Sequence, residues 1–188
     1  MDNDRNQGAP VTRRDFVRTA AAASLAAAIP LRQGVFAAGS DAIKVGIIGA
    51  GGRGTGAAID CLKADKGVEV VAIGDLVADR VESSLERLRK EFPDRVKITP
   101  DRCFTGFDNY KGVCACPDVN LIVTAAPPGF RPIHLKAAVE AGKHVFMEKP
   151  VAVDPVGVRS VIATSDLAKK KRLDIGAGTQ RSHQRRYL

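Results

Sequence analysis

Apolar positions along this chain fall into short runs that alternate with amphipathic stretches. Ile43–Ile48 reads Ile-Lys-Val-Gly-Ile-Ile, a β-rich run bounded by glycine, and predicts a buried strand. A glycine-rich turn at residues 49–54 leads into a helical stretch over about residues 53–64, and Asp65-Lys66-Gly67 makes a turn. Residues 68–73, Val-Glu-Val-Val-Ala-Ile, predict a second strand that ends near Asp75. Between residues 78 and 92 the apolar Val81, Leu85, Leu88 and Phe92 recur at three- and four-residue steps, which is one face of an amphipathic helix. Pro93 stops it.

The pattern weakens between residues 93 and 118, where a short strand around Cys103-Phe104 and a short helix over residues 110–115 are expected. Residues 119–124 predict a fourth strand with the exit loop Ala125-Ala126-Pro127-Pro128-Gly129. Pro132 suits the first turn of a helix that Gly142 would end. His144–Met147 predicts a fifth strand, leading into Glu148-Lys149-Pro150. A helix over residues 154–171 carries Val158, Val161, Ile162 and Leu167, and residues 173–177 predict a sixth strand. Strand and helix in strict alternation imply an α/β fold: a Rossmann-type, doubly wound parallel sheet with helices on both faces.

Residues 1–39 read as an address, not as part of that fold. Thr12-Arg13-Arg14-Asp15-Phe16-Val17-Arg18 matches a twin-arginine export motif. An alanine-rich apolar stretch follows at residues 20–31, and Ala37-Ala38-Gly39 offers a cleavage site for a signal peptidase. A stable transmembrane helix needs ~20 residues, so this stretch predicts no stable membrane anchor. No cysteine follows the cut to carry a lipid. The expectation is export by the twin-arginine route to a periplasmic or otherwise extracytoplasmic location, a route that carries folded proteins.

The whole chain has a net charge of +8; the five arginines and three aspartates of residues 1–39 account for +2, so the remainder carries +6. Its basic residues are scattered apart from Lys169-Lys170-Lys171-Arg172 and residues 181–186, which read as solvated faces. Tryptophan is absent and only two tyrosines are present, so no stacking surface for nucleic acid is expected. Cys61, Cys103, Cys114 and Cys116 form no CxxC pair, and no histidine lies at zinc spacing, so no metal site is expected. They read as small buried side chains, with a redox pair at Cys114 and Cys116 as the alternative.

Gly49-Ala50-Gly51-Gly52-Arg53-Gly54 is a GxGxxG loop set between a predicted strand and a predicted helix, the context that gives this motif meaning. The first glycine permits the tight turn, the second lets the backbone approach a pyrophosphate, and the third brings helix and strand together. The helix N-terminus then offers unpaired N–H groups to the phosphates. Asp75 stands 21 residues beyond Gly54 at the end of the second strand, where a carboxylate accepts from ribose hydroxyls and repels a 2′-phosphate. NAD is therefore the expected cofactor, with Arg80 leaving NADP possible.

Together with that loop, Ala141-Gly142-Lys143-His144-Val145-Phe146-Met147-Glu148-Lys149-Pro150 resembles the second signature of the Gfo/Idh/MocA family of sugar and polyol oxidoreductases. The resemblance runs from residue 43 to about residue 181. It implies that Lys149 is catalytic, reaching a substrate hydroxyl and the nicotinamide ribose. It implies that Pro150 shapes the turn, through a cis peptide in some cases, and that Glu148 lies near the nicotinamide. Thr124, Ala125, Ala126 and Pro127 match the loop that passes the cofactor. His134 matches a frequent histidine on the next helix, with a packing role as the alternative, and Gln180 falls near the nicotinamide. The resemblance further implies a sugar or polyol substrate, no nucleic-acid partner, and homo-oligomers in full-length relatives. Relatives complete their site with a second α+β domain carrying an Asp-x-x-x-His segment. No such segment occurs here, so that domain is expected to be absent and the chain inactive alone. The expected layout is a signal peptide at 1–39, an NAD(P)-binding Rossmann domain at 40–180 and the start of the second domain at 181–188. A redox-neutral, NAD-dependent glycosidase of the same family and a non-catalytic dinucleotide-binding fragment are the alternatives.

Overall fold

The computed structural model describes residues 42–179. Residues 1–39, with the twin-arginine motif, and residues 180–188, with Gln180, lie outside the described residues. Six strands alternate with five helices: β1 Ile43–Ile48, α1 Gly52–Ala64, β2 Val68–Asp75, α2 Ala78–Glu91, β3 Cys103–Thr105, α3 Asn109–Ala115, β4 Leu121–Thr124, α4 Arg131–Glu140, β5 His144–Met147, α5 Pro155–Lys171 and β6 Ile175–Ala177. All the strand pairs are parallel, and the order is β3-β2-β1-β4-β5-β6. This is the doubly wound arrangement expected from the alternation, with its topological switch between β1 and β4.

The sheet is buried on both faces, and the core divides accordingly. Val45, Ile47, Val70 and Ile73 pack with Ala58 and Leu62 of α1 and with Val81 and Leu88 of α2. Ile48, Ala72, Ile122 and Val145 pack with Val113 of α3, Leu135 and Val139 of α4, and Val161 and Ala168 of α5. On the second face the sheet admits α3 closely, because a Cβ on Gly46 would stand 2.7 Å from Val113 Cγ1.

Helix ends follow the local chemistry. Asp154 caps α5, its Oδ1 accepting from the Gly157 N–H at 2.6 Å, with Pro155 next in the first turn. Beyond α4, Gly142 adopts φ +75° while the Lys143 N–H returns to the Ala138 carbonyl at 3.0 Å. That left-handed exit is cheap only for glycine.

Two boundaries differ from the sequence pattern. β4 starts at Leu121, not at residue 119, because Val119 closes a turn onto the Cys116 carbonyl at 3.3 Å. The buried Lys143 ammonium holds that turn, donating to the Cys116 and Val119 carbonyls at 2.9 and 2.7 Å. β6 starts at Ile175, because Arg172 turns left-handed and the Leu173 N–H still bonds back to Ala168. Cys114 and Cys116 are buried free thiols, and burial pushes the Cys114 thiol up to about 12.

Candidate functional site

The C-terminal ends of β1, β2, β4 and β5 bring the sequence motifs to one edge of the sheet, the position where such folds bind ligands. Gly49 leaves β1 with φ +92°, and its own N–H donates to the Gly74 carbonyl at 2.8 Å. A Cβ there would lie 2.5 Å from the Ala126 nitrogen, so the β4 exit loop closes directly on this turn. A Cβ on Gly54 would lie 1.8 Å from the Gly49 carbonyl oxygen, which is the close approach of helix to strand expected of the third glycine. Thr55, buried one residue later, donates its hydroxyl toward the Gly51 carbonyl at 3.0 Å and meets Ser84 Oγ at 2.8 Å, tying the loop to α2.

Gly51 and Gly52 behave differently. A Cβ on either meets nothing within 4 Å, and Gly51 has ordinary extended dihedrals of φ −70° and ψ −177°. Neither backbone strain nor a protein contact demands glycine at Gly51. The backbone here is open beside the N-terminus of α1, where a pyrophosphate would fit.

Asp75 is 5% exposed and braces the loop. Its Oδ2 accepts from the Ala50 N–H at 2.7 Å and its Oδ1 from the Val77 N–H at 3.0 Å. A carboxylate has about four acceptor sites, so two remain for ribose hydroxyls. Asp75, Arg80, Ala126, Pro127 and His134 all line a cleft of about 90 Å³ at this end of the sheet. Leu76, Phe107 and Phe130, exposed by 47%, 73% and 41%, give its rim an apolar character suited to a purine. Asn109, also in the lining, keeps a buried Oδ1 with no hydrogen-bond partner while its amide donates to Gly106 at 2.6 Å. A cleft with apolar walls and a bracing carboxylate fits the adenosine half of a dinucleotide.

His134 is 5% exposed and lies between Tyr110, at 4.8 Å between ring centroids, and Phe130, stacked at 6.2 Å. Its Nδ1 is 3.5 Å from Thr124 Oγ1. Burial lowers its pKa to about 4, so the ring is neutral near pH 7. The ring packs between aromatics and also lines the cleft.

On the other side of the switch point, Glu148 follows β5 and is 5% exposed; its N–H donates to the Thr124 carbonyl at 3.0 Å. Its Oε1 accepts from Arg53 Nε at 2.7 Å and also from Arg53 Nη2. Lys149 follows, exposed, and the Lys149–Pro150 peptide is cis. Arg131 was not singled out by the sequence. It is 6% exposed, donates from Nε to the Ala126 carbonyl at 3.0 Å and from Nη1 to the Pro150 carbonyl, and so joins the β4 exit loop to the cis turn. Burial lowers its pKa. No sequence signal marks it, because its partners are backbone carbonyls. Among the described residues no three His, Cys, Asp or Glu side chains gather as metal ligands.

Residues 43–177 match the model of GFO_IDH_MocA, the oxidoreductase family with an NAD-binding Rossmann fold. A glycosyl hydrolase family 109 protein of Streptomyces niveus is 38% identical over 139 residues, covering 71% of this chain and 27% of the relative. Inositol 2-dehydrogenase of Salmonella paratyphi B is 29% identical over 134 residues, covering 71% of this chain and 36% of the relative. The fold is similar to that of scyllo-inositol dehydrogenase from Lactobacillus casei, solved with NAD(H) and scyllo-inositol. The TM-score is 0.62 at 22% identity, covering 77% of this chain and 38% of that one. The chain thus spans roughly a quarter to two-fifths of the length of these proteins.

Proposed function

The chain belongs to the Gfo/Idh/MocA oxidoreductase family and is its NAD-binding Rossmann domain, and on that premise we propose that it is the cofactor-holding part of an enzyme that moves hydride between nicotinamide and a sugar or polyol. The observation that carries this reading is the open backbone of Gly51 and Gly52 at the α1 N-terminus, beside the braced Asp75 and at the same sheet edge as Lys149. Bound nicotinamide would supply the hydride acceptor or donor.

The remaining chemistry falls to side chains. Gly51, Gly52 and Arg53 present their N–H groups at the α1 N-terminus to the phosphates, Gly49, Ala50 and Gly54 shape the loop beneath them, and Asp75 takes the adenosine ribose. Thr124, Ala125, Ala126 and Pro127 form the wall of the groove, while Glu148 and Pro150 set the direction of the intervening Lys149. The Lys149 ammonium donates to the substrate hydroxyl and orients its carbon toward the nicotinamide. His134 is assigned no proton transfer, because it lines the cleft with Asp75 and is held neutral by burial. Gln180 belongs to the same reading as a nicotinamide-side residue. Residues 1–39 are read as a twin-arginine leader that carries the folded domain, its cofactor already loaded, out of the cytoplasm. Replacing Arg13 and Arg14 with lysine keeps the charge and is expected to block export, and continued export would remove this part of the reading.

The similarity to a glycosyl hydrolase family 109 protein favours a second reading, a redox-neutral glycosidase in which hydride leaves and returns to the same substrate. The test is to offer polyols, aldoses and glycosides with NAD to an enzyme containing this domain. Net NADH formation that Lys149→Ala abolishes supports the dehydrogenase, and glycoside cleavage without net NADH supports the glycosidase. Neither product, from protein that binds NAD, would leave a binding domain only.

A further inference from the structure

Arg53 and Glu148 are 95 residues apart in sequence, yet they form a two-pronged ion pair between the first turn of α1 and the end of β5. The pair is asymmetric. Glu148 has a side chain 7% exposed, whereas that of Arg53 is 54% exposed. Gly178 makes room for the carboxylate, since a Cβ there would stand 2.8 Å from Glu148 Oε1. Glu148 takes up the Nε and Nη2 edge of the guanidinium. The Nη1 edge has only a distant neighbour, Asp60 at 3.9 Å, whose side chain is 73% exposed. A buried carboxylate therefore fixes an arginine whose remaining donors stay available beside the open backbone of Gly51 and Gly52.

We infer that Arg53, held in place by Glu148, is a ready-made ligand for the pyrophosphate, acting on the phosphate nearer the nicotinamide ribose. The inference rests on the cofactor reading above and deepens it by naming a side-chain phosphate ligand and its positioning residue. Arginine suits the task because its planar fork bonds a carboxylate on one edge and a phosphate on another. Holding the fork in advance removes the ordering cost that a free arginine would meet on binding. The side chain of Glu148 acts through Arg53 and is a positioning group in this respect.

The test uses the full 188-residue chain and two probes, ADP-ribose, which has both phosphates, and AMP, which has only the adenosine-side phosphate. Arg53→Gln is expected to weaken ADP-ribose by about tenfold, towards the low end for a charge-assisted bond because the site is half exposed and screened. AMP should change by less than about twofold. Glu148→Gln should weaken ADP-ribose several-fold while Arg53 is present and have no further effect in the Arg53→Gln background. Arg53→Lys keeps the charge without the fork and should recover only part of the loss. Equal weakening of AMP and ADP-ribose would mean that the pair merely holds the loop, and would overturn the inference. Tighter ADP-ribose binding by Glu148→Gln would also overturn it, showing that Glu148 competes with the phosphate. A native chain that binds neither probe would remove the cofactor reading itself, whereas binding with an unchanged ratio in Arg53→Gln removes only the role of Arg53.

Discussion

A Cβ placed on Gly51 meets nothing within 4 Å, whereas one on Gly54 would stand 1.8 Å from the Gly49 carbonyl oxygen. The two glycines therefore separate binding from stability. Gly51→Val is expected to leave stability within about 0.5 kcal/mol and to weaken NAD at least about tenfold. Gly54→Ala should cost about 3 kcal/mol by forcing the helix off the strand. Calorimetry with NAD and urea unfolding of each variant check the pair. Asp75 does two jobs, so Asp75→Ser should show two effects. The Ala50 and Val77 N–H groups lose their acceptors, which should cost about 1–3 kcal/mol of stability. The ratio of NAD to NADP affinity should fall as the repulsion of a 2′-phosphate is relieved, and an unchanged ratio would remove the ribose role. His134 supplies a pH dependence. Its folded pKa is lowered from 6.5 to about 4 by burial, so the unfolded chain takes up the proton first as pH falls. Stability should decline from pH 6.5 to about 4 and level off below, by up to about 3 kcal/mol from this group. His134→Phe should flatten that slope, read as the difference between native and variant melts across the window.

At the scale of elements, the site depends on ties between loops as much as on the strands that carry them. Arg131 stands at the start of α4 and donates to carbonyls of the β4 exit loop and of the turn after β5. Arg131→Met keeps the apolar stem but leaves the Ala126 and Pro150 carbonyls without that donor. The expected cost is about 2–4 kcal/mol from unmade bonds to a charged group, measured by urea unfolding. Hydrogen exchange should rise first in the two loops, because their backbone loses its shared anchor. A loss of stability with unchanged exchange at both loops would show that Arg131 acts by packing alone. Lys143 performs the same kind of task under β4, where its ammonium fixes the turn that delays the strand to Leu121.

Across the whole molecule, a ligand held by four strand ends should stabilise all of them together. NAD at about a hundred times its Kd is expected to stabilise the chain by about 2.7 kcal/mol, visible as a raised Tm that Gly51→Val cuts at least to about half at the same NAD concentration. Steady NADH production from polyols by these 188 residues, lost in Lys149→Ala, would show that Lys149 acts within a site this chain completes by itself. The two cores, one on each face, make the sheet a single platform beneath this edge.

The sequence by itself determined the order and type of the elements, because periods of 2 and 3.6 are local properties that survive without tertiary context. It also determined the glycine loop, since Gly49 leaves the strand with a positive φ and Gly54 lets helix approach strand, and it set Asp75 at the end of the next strand. Only the tertiary structure decided which way that acid faces. In the β1–β2 pairing Val45 lies opposite Val70, but Gly46 lies opposite Ala72, so β2 carries one extra residue. The bulge reverses the alternation beyond Val71 and puts Asp75 on the face of Ile73, where Ala50 meets it. The run Val-Val-Ala-Ile is apolar on both sides, so no pattern of polar positions reveals that shift. The pairing of Arg53 with Glu148, the carbonyls held by Arg131 and the neutral ring of His134 were likewise decided only by folding. Each depends on groups brought together from separate strand ends, and burial there sets charge and hydrogen bonding in ways that residue type alone does not specify.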